Sequence, residues 1–169
     1  VIHAAAYSEK DELNGRYIDT SKDNFIKSLN ISCFSFTKIA KLVEPIMNEG
    51  GSLLTLSFYG ANKVMPNYNV MGVAKAALET SVKYLSVDLG EKNIRVNAIS
   101  AGPMRTLAGA AIANSREVFK YTQENSVLKR NVSLEELGNT ALYFVSDLSN
   151  AVTGEIHYVD CGFNIKGMP

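Results

Sequence analysis

Apolar and polar positions come in blocks along this chain. Val1 and Ile2, then His3 and the small residues Ala4, Ala5 and Ala6, read as a short buried strand ending near Tyr7. Such an end suits a ligand crevice, where small residues let a flat ring approach, and suits an ordinary strand end equally. Ser8 to Thr20 is polar, with a turn at Asn14-Gly15. A long helix follows, capped by Thr20 or Ser21, with Asp23 in its first turn. Phe25, Leu29, Cys33, Phe36, Ala40, Val43 and Met47 step by three or four and predict its buried face. Pro45 should bend its last turn and Gly50-Gly51 end it.

Ser52 to Ser57, built around Leu53, Leu54 and Leu56, predicts a strand buried on both faces. A second long helix is predicted from about Asn67 to Leu89, with apolar or small residues on more than one face, so it should be buried on two sides. Ile94 to Ile99 is a third strand, leaving through Ser100-Ala101-Gly102-Pro103. Met104 to Asn125 is weakly patterned and fits a flexible lid or a short surface helix. Ser133-Leu134-Glu135-Glu136 is a capping box opening a helix to about Ser146, and Glu155 to Asp160 is a final strand. Strands alternating with helices predict an α/β fold, a doubly wound parallel sheet covered on both faces. In such a sheet, sites lie beyond the carboxyl ends of the strands. Here those exits are Ala5 to Ser8, Phe58 to Tyr68, Gly102 to Ala108 and Gly162-Phe163.

Composition narrows the possibilities. The 169 residues suffice for one domain, and 46% hydrophobic with 20% charged residues is an ordinary globular profile. Lysine plus arginine and aspartate plus glutamate both count 17, so no basic excess supports nucleic-acid binding. No run of 18 apolar residues suggests a membrane span. Cys33 and Cys161 form no metal-ligand pattern, and Cys33 is expected as a buried thiol. His3 and His157 are expected to be structural, and Asp160 to cap or turn the chain. No signal-peptide pattern opens the sequence, and it begins abruptly in a strand without methionine. These features predict a cytoplasmic protein and a fragment of a longer one.

The strongest chemical candidate is Tyr68 with Lys75, seven residues on. If both lie on the second helix, just under two turns put them on one stripe. An ammonium beside a phenol favours the phenolate, predicting an acidic or well-polarised hydroxyl, a proton donor or oxyanion stabiliser. The spacing alone also fits an aromatic at a helix start and an unrelated surface lysine.

The flanking residues go further. Leu54-Thr55-Leu56-Ser57, Pro66-Asn67-Tyr68-Asn69-Val70-Met71-Gly72-Val73-Ala74-Lys75 and the run from Arg95 to Ala108 resemble bacterial enoyl-acyl-carrier-protein reductase of the short-chain dehydrogenase superfamily. Ser146-Asp147-Leu148-Ser149, Thr153-Gly154-Glu155, Val159-Asp160, His3 to Tyr7 and Leu13-Asn14-Gly15-Arg16-Tyr17 also fit. Most other short-chain dehydrogenases carry tyrosine four residues before the lysine, where this chain has Met71. The resemblance implies the carboxyl-terminal part of a Rossmann-like fold, spanning 1–169 as one partial domain. It implies reduction of the 2,3 double bond of enoyl-acyl-carrier-protein thioesters in fatty acid synthesis. The cofactor would be NADH, with NADPH possible.

By the same resemblance Tyr68 would stabilise the enolate and Lys75 hold the nicotinamide ribose. Met104, Arg105, Thr106, Leu107 and Ala108 would line the cofactor, with the Thr106 hydroxyl on phosphate. Ala5 would lie against the cofactor and Ser8 near the substrate. A flexible substrate-binding loop would span about 105–125, and the assembly would be a homotetramer. Phe58 stands where many relatives have tyrosine, and Tyr59 is not expected to replace it. No G-x-G-x-x-G follows a strand, so the residues that grip the adenine half should precede Val1. A truncated, inactive product and a short-chain dehydrogenase of another substrate class are the rival readings; the tyrosine–lysine spacing opposes the second.

Overall fold

The structure, a computed structural model, describes residues 1–106, 109 and 114–167. Four parallel strands form one sheet in the order β1-β2-β3-β4: Ile2–His3, Ser52–Phe58, Arg95–Ala101 and Ile156–Val159. The central pair is in continuous register from Ser52 opposite Arg95 to Phe58 opposite Ala101. The helices are α1 (Lys22–Leu29), α2 (Ser35–Val43), α3 (Val70–Gly90), α4 (Ser115–Asn125) and α5 (Leu134–Val145).

Strand alternation splits the core between two faces. Leu53, Val96 and Ala98 point to one side and pack with Phe36 and Ala40 of α2 and Leu78, Val82, Leu85 and Leu89 of α3. Leu54, Ile99 and Ala101 point to the other and pack with Leu137 and Phe144 of α5. The expected doubly covered sheet is present, and α3 is buried both against the sheet and against the first helices. Its outward residues Tyr84 and Val87 are exposed.

Two expectations need correction. The buried strand expected over Val1 to Ala6 is only Ile2–His3, and Ile2 is 55% exposed. β1 is an outer strand with a neighbour on one side only, so just His3, facing α2, is covered. The first helix does not bury the expected apolar face throughout. Phe36 and Ala40 are fully buried, but in the first half Asn24, Ser28 and Ser32 are the buried positions, while Phe25 and Leu29 are half-buried. A π-helical turn, Asn30–Phe34, separates α1 from α2 and breaks the 3.6-residue period there. The polar stripe exists because it faces the loop leaving β1, whose backbone groups need partners. Asn24 Oδ1 accepts from the Glu9 N–H at 3.0 Å and the Ser8 hydroxyl at 3.2 Å. Ser32 Oγ accepts from the Tyr7 N–H at 2.9 Å and donates to the Tyr7 carbonyl at 3.1 Å. Cys33 is half-buried rather than enclosed, 3.5 Å from Ser81 Oγ.

Other local expectations hold. Ser21 Oγ caps α1 by accepting from the Asn24 N–H, Pro45 sits in a closing 3-10 turn, and the Ser133–Glu136 capping box is complete. Asp160 turns the chain after β4, accepting from the Gly162 N–H at 3.0 Å and the Asn164 N–H at 2.9 Å. His3 is structural: its ring nitrogens lie 2.9 Å from Thr55 Oγ1 and 2.8 Å from Ser35 Oγ, and its ring packs on Phe36.

Candidate active site

Strand β2 runs out through Leu56, Ser57 and Phe58 into a 3-10 turn, Tyr59–Ala61. Beyond it the chain reaches Tyr68 before α3 begins at Val70. Tyr68 is therefore not on the helix with Lys75, as the spacing suggested. It is held by Asn67 (φ 58°) and Asn69 (φ 38°, ψ −120°), both with positive φ. Asparagine tolerates such geometry better than other side chains, and strain of this kind persists where the surroundings enforce it. Here they do: Asn69 Nδ2 donates to the carbonyls of Leu13 at 3.1 Å and Gly15 at 3.3 Å, tying the turn to the loop before α1.

The Tyr68 ring is boxed in. Phe58 meets it edge-on with centroids 4.9 Å apart and planes at 64°. Gly60 lies against its face, where a Cβ would stand 2.8 Å from Tyr68 Cε1. Gly72, in the first turn of α3, lets that helix approach the Gly60 carbonyl, which a Cβ there would meet at 2.8 Å. Leu13, Val70 and Met71 complete the buried cluster. Tyr59 turns away to pack against Tyr158 and Phe163, so it does not replace a tyrosine at position 58.

Lys75, in the second turn of α3, is buried, and its ammonium donates to the Leu56 carbonyl at 2.7 Å. Burial lowers its pKa to about 8, with Cys33 and Glu79 acting in the opposite direction. Tyr68 departs from the sequence expectation. Burial, reinforced by the Glu79 carboxylate, pushes its pKa well above the ordinary phenol value, so the hydroxyl stays protonated rather than becoming acidic. A protonated phenol in a dry site is a hydrogen-bond donor, the form that an oxyanion stabiliser needs.

The remaining expected site residues are dispersed around this strand end. Ala5 is exposed in the loop leaving β1, and Ser8 is engaged with Asn24. Met104 packs partly against the Leu54–Ile99–Phe144 core. The Arg105 guanidinium lies 4.7 Å from the centroid of the Phe119 ring of α4. Thr106 Oγ1 accepts from the Gly109 N–H at 3.1 Å. Leu107, Ala108 and residues 110–113 lie outside the described residues. Of the stretch read as lid or surface helix, Ser115–Asn125 is helical. Sequence reasoning missed Gly60, Asn69 and Glu79. A glycine one residue after an aromatic pair, and asparagines on both sides of the tyrosine, were the available signals.

Comparison with known proteins resolves what this strand end belongs to. A sequence model of the family described as enoyl-(acyl carrier protein) reductase matches residues 1–164. The chain belongs to that family. The chain is 61% identical over 168 residues to enoyl-[acyl-carrier-protein] reductase [NADH] 1 of Rhizobium meliloti (strain 1021), covering 99% of itself and 62% of that protein. It superposes on the crystal structure of the enoyl-acyl-carrier-protein reductase of Anaplasma phagocytophilum in complex with NAD with a TM-score of 0.95 at 58% identity, covering 99% of itself and 64% of that chain. The Bacillus cereus enoyl-acyl carrier protein reductase, in a complex with NADP+ and an indole naphthyridinone, matches with a TM-score of 0.96 at 47% identity, 99% of this chain and 65% of that one. The chain thus spans less than two thirds of the length of these relatives. Among its described residues no helix is long and apolar enough to cross a membrane.

Proposed function

We propose that this polypeptide forms the catalytic half of an NADH-dependent reductase acting on the 2,3 double bond of enoyl-acyl-carrier-protein thioesters. The observation that carries the reading is the buried, protonated Tyr68 at the same strand end as the buried Lys75. The spacing between them is seven residues, in a chain 61% identical to a relative named for that reaction.

The residues present suit a nicotinamide. An ammonium carries three donors, and the Leu56 carbonyl takes one of those on Lys75, so ribose hydroxyls are natural further acceptors. The exposed Ala4, Ala5 and Ala6 offer no side chain to obstruct a flat ring. Met104 to Ala108, with the Thr106 hydroxyl for phosphate, would line the same cofactor, and Ser8 would approach the substrate. A reduced nicotinamide bound there would supply hydride to the β-carbon. Tyr68 would donate its hydrogen bond to the thioester oxygen, where negative charge develops. Phe58 offers no second hydroxyl, which leaves Tyr68 alone in that role. The Gly60 and Asn69 contacts fix the ring, so little reorganisation accompanies the reaction. The stretch of about 105–125 would close over the acyl chain.

NADH is favoured over NADPH because the curated relatives carry NADH in their names, although the Bacillus cereus structure holds NADP+. The partner would be an acyl carrier protein bearing the enoyl chain. A homotetramer in the cytoplasm fits the exposed Tyr84 and Val87 on the outer side of α3.

The test is enoyl-thioester-dependent oxidation of NADH. Tyr68→Phe should lower kcat by about 10²-fold or more, the scale of losing an oxyanion donor. A second reading, a chain without independent turnover, rests on the half-exposed β1 edge and on the lack of a G-x-G-x-x-G turn within these 169 residues. No turnover by the parent, with Tyr68→Phe indistinguishable from it, would favour that second reading.

A further inference from the structure

Lys75 and Glu79 sit one helical turn apart on α3 and grip consecutive residues of β2. Lys75 Nζ donates to the Leu56 carbonyl at 2.7 Å, and Glu79 Oε1 accepts from the Ser57 hydroxyl at 2.6 Å. The other oxygen of Glu79 accepts from Asn62 Nδ2 at 3.1 Å, and the same Asn62 amide donates to the Tyr158 hydroxyl of β4 at 3.0 Å. Ser57 and Asn62 bracket the segment that carries Phe58 and Gly60, the two residues that box the Tyr68 ring. One carboxylate therefore fastens both ends of that segment to α3, with β4 attached through Asn62. Nothing in the reaction read above uses Glu79.

We propose that Glu79 is a positioning residue for the tyrosine–lysine pair, clamping the Phe58–Gly60 segment around Tyr68 and serving as counter-charge to the buried Lys75. It rests on the reductase reading only for its effect on turnover. A carboxylate and an ammonium four residues apart on a helix are neighbours, and burial of the Lys75 ammonium limits screening between them. The titratable groups that Glu79 acts on are Lys75 of its own helix, Tyr68 from the preceding turn and Tyr158 from β4. Lys75 also interacts with Cys33 of the π-helical turn and His3 of β1, and Tyr158 with Tyr59 and Asp160. Removing the anion should ease proton loss from Lys75, whose pKa of about 8 already lies near the working range.

Glu79→Gln separates charge from clamp. A glutamine can still accept from Ser57, and an inverted Asn62 amide can accept from its NH2, so the hydrogen bonds can persist while the charge is lost. Two readouts apply: the Lys75 side-chain carbon titration by NMR, and kcat/KM against pH with NADH and a short enoyl thioester. Glu79→Gln should lower the Lys75 midpoint by about half a unit to one unit, and the basic limb of the rate profile with it. Glu79→Asp should keep both near the parent. Asn62→Ala, which cuts the clamp and keeps the charge, should leave the Lys75 midpoint in place and lower kcat about fivefold through a looser Tyr68. A parental Lys75 midpoint in Glu79→Gln, or the same midpoint shift in Asn62→Ala, would overturn the counter-charge. Parental kcat in Asn62→Ala would overturn the clamp. If the parent turns over no enoyl thioester, the reductase reading fails while the NMR titration still decides the counter-charge.

Discussion

The sheet holds a buried cation at each end, and the two are built differently. At the amino end of β3, the Arg95 guanidinium donates to the Phe144 carbonyl at 3.0 Å, the Ser146 carbonyl at 3.1 Å and the Ser149 hydroxyl at 2.6 Å. Those acceptors close the carboxyl end of α5, where the helix dipole favours positive charge. At the carboxyl end of β2, Lys75 has the Leu56 carbonyl as acceptor and a charge weakened by burial. A planar fork fixed on carbonyls is a structural tie. On the reading proposed above, an ammonium with one backbone tie among the described residues is a group kept for a ligand, and its burial is a cost that the fold tolerates. Charged residues inside one small sheet thus separate into fastener and tool by how many of their donors the protein itself engages.

Lys75→Met tests this most severely. On the reading proposed above, turnover of an enoyl thioester should fall by about 10²-fold or more, since the ammonium that would anchor the ribose is lost. The same variant should fold more stably. Burial lowers the Lys75 pKa from its ordinary 10.5 to about 8, so below that value the folded protein carries a charge that the unfolded chain holds more easily. The linkage amounts to about 3 kcal/mol at neutral pH, of which the lost Leu56 hydrogen bond offsets a part, leaving a gain of about 1–2 kcal/mol. Sign and window follow: parental stability should rise with pH between about 8 and 10.5, and Lys75→Met should lack that rise. Urea unfolding at pH 7 and pH 10 measures both. A Lys75→Met protein less stable than the parent at pH 7 would make the lysine a structural tie after all.

Arg95→Met should move stability the other way, by about 2 kcal/mol, because charge-assisted hydrogen bonds to the α5 terminus vanish. The loss is moderated because the Phe144 carbonyl still accepts from Ser52 Oγ at 2.8 Å. Among the described residues Arg95 Nε is buried without a hydrogen-bond partner, so the tie is itself imperfect. If Arg95→Met unfolds later in urea than the parent, desolvation governs both cations and the contrast collapses.

His3 is a further base close to Lys75. Burial, with Lys75 second, lowers its pKa below the ordinary 6.5. A base with a lowered folded pKa favours the native state above 6.5, and that advantage is lost as pH falls through its folded value. The His3 ring protons should therefore titrate below 6.5 by NMR, and His3→Gln should flatten the decline in stability between pH 6.5 and 5. A midpoint at or above 6.5 would mean that the β1 edge does not enclose the ring.

These contrasts also show what could be read beforehand. β2, β3 and α3 were legible because one physical effect, burial of apolar side chains, fixes their period: Leu53, Val96, Leu78 and Val82 all report it. The tyrosine–lysine pair was legible as chemistry but not as geometry. A helix pattern cannot reveal that Asn67 and Asn69 take positive φ and lift Tyr68 off the helix. Nor does spacing carry burial, so the sign of the Tyr68 shift was missed: a lysine seven residues away suggested an acid, and desolvation makes a tightly held proton. The buried stripe of Asn24, Ser28 and Ser32 was hidden because its partners are the Tyr7–Glu9 loop groups, distant in sequence and without an apolar signature.

The smallest effect probes the opposite end of the helix that Arg95 closes. At the amino end of α5, Ser133 Oγ accepts from the Glu136 N–H at 3.1 Å, and the Glu136 carboxylate accepts from the Ser133 N–H at 2.9 Å. The Arg130 guanidinium grips that carboxylate through both nitrogens, at 2.6 and 2.8 Å, and these contacts, then the Ser133 N–H, hold its pKa at about 2. Ser133→Ala should cost about 1 kcal/mol, the usual loss for a serine cap. Because the Glu136 pKa is depressed from 4.5, the carboxylate's contribution is complete above 4.5 and fades as pH falls towards 2. The Arg130 and Ser133 N–H contacts that depress it survive in Ser133→Ala, so stability of the parent and of Ser133→Ala should fall together through this window, and Arg95→Met should leave that fall unchanged, because the Arg95 acceptors do not titrate. Equal losses for the two variants at pH 7 would show that a solvent-exposed box closes α5 as firmly as the buried guanidinium does. That result would remove the reason for placing a charge beneath the sheet, and the buried-cation contrast would then rest on Lys75 alone.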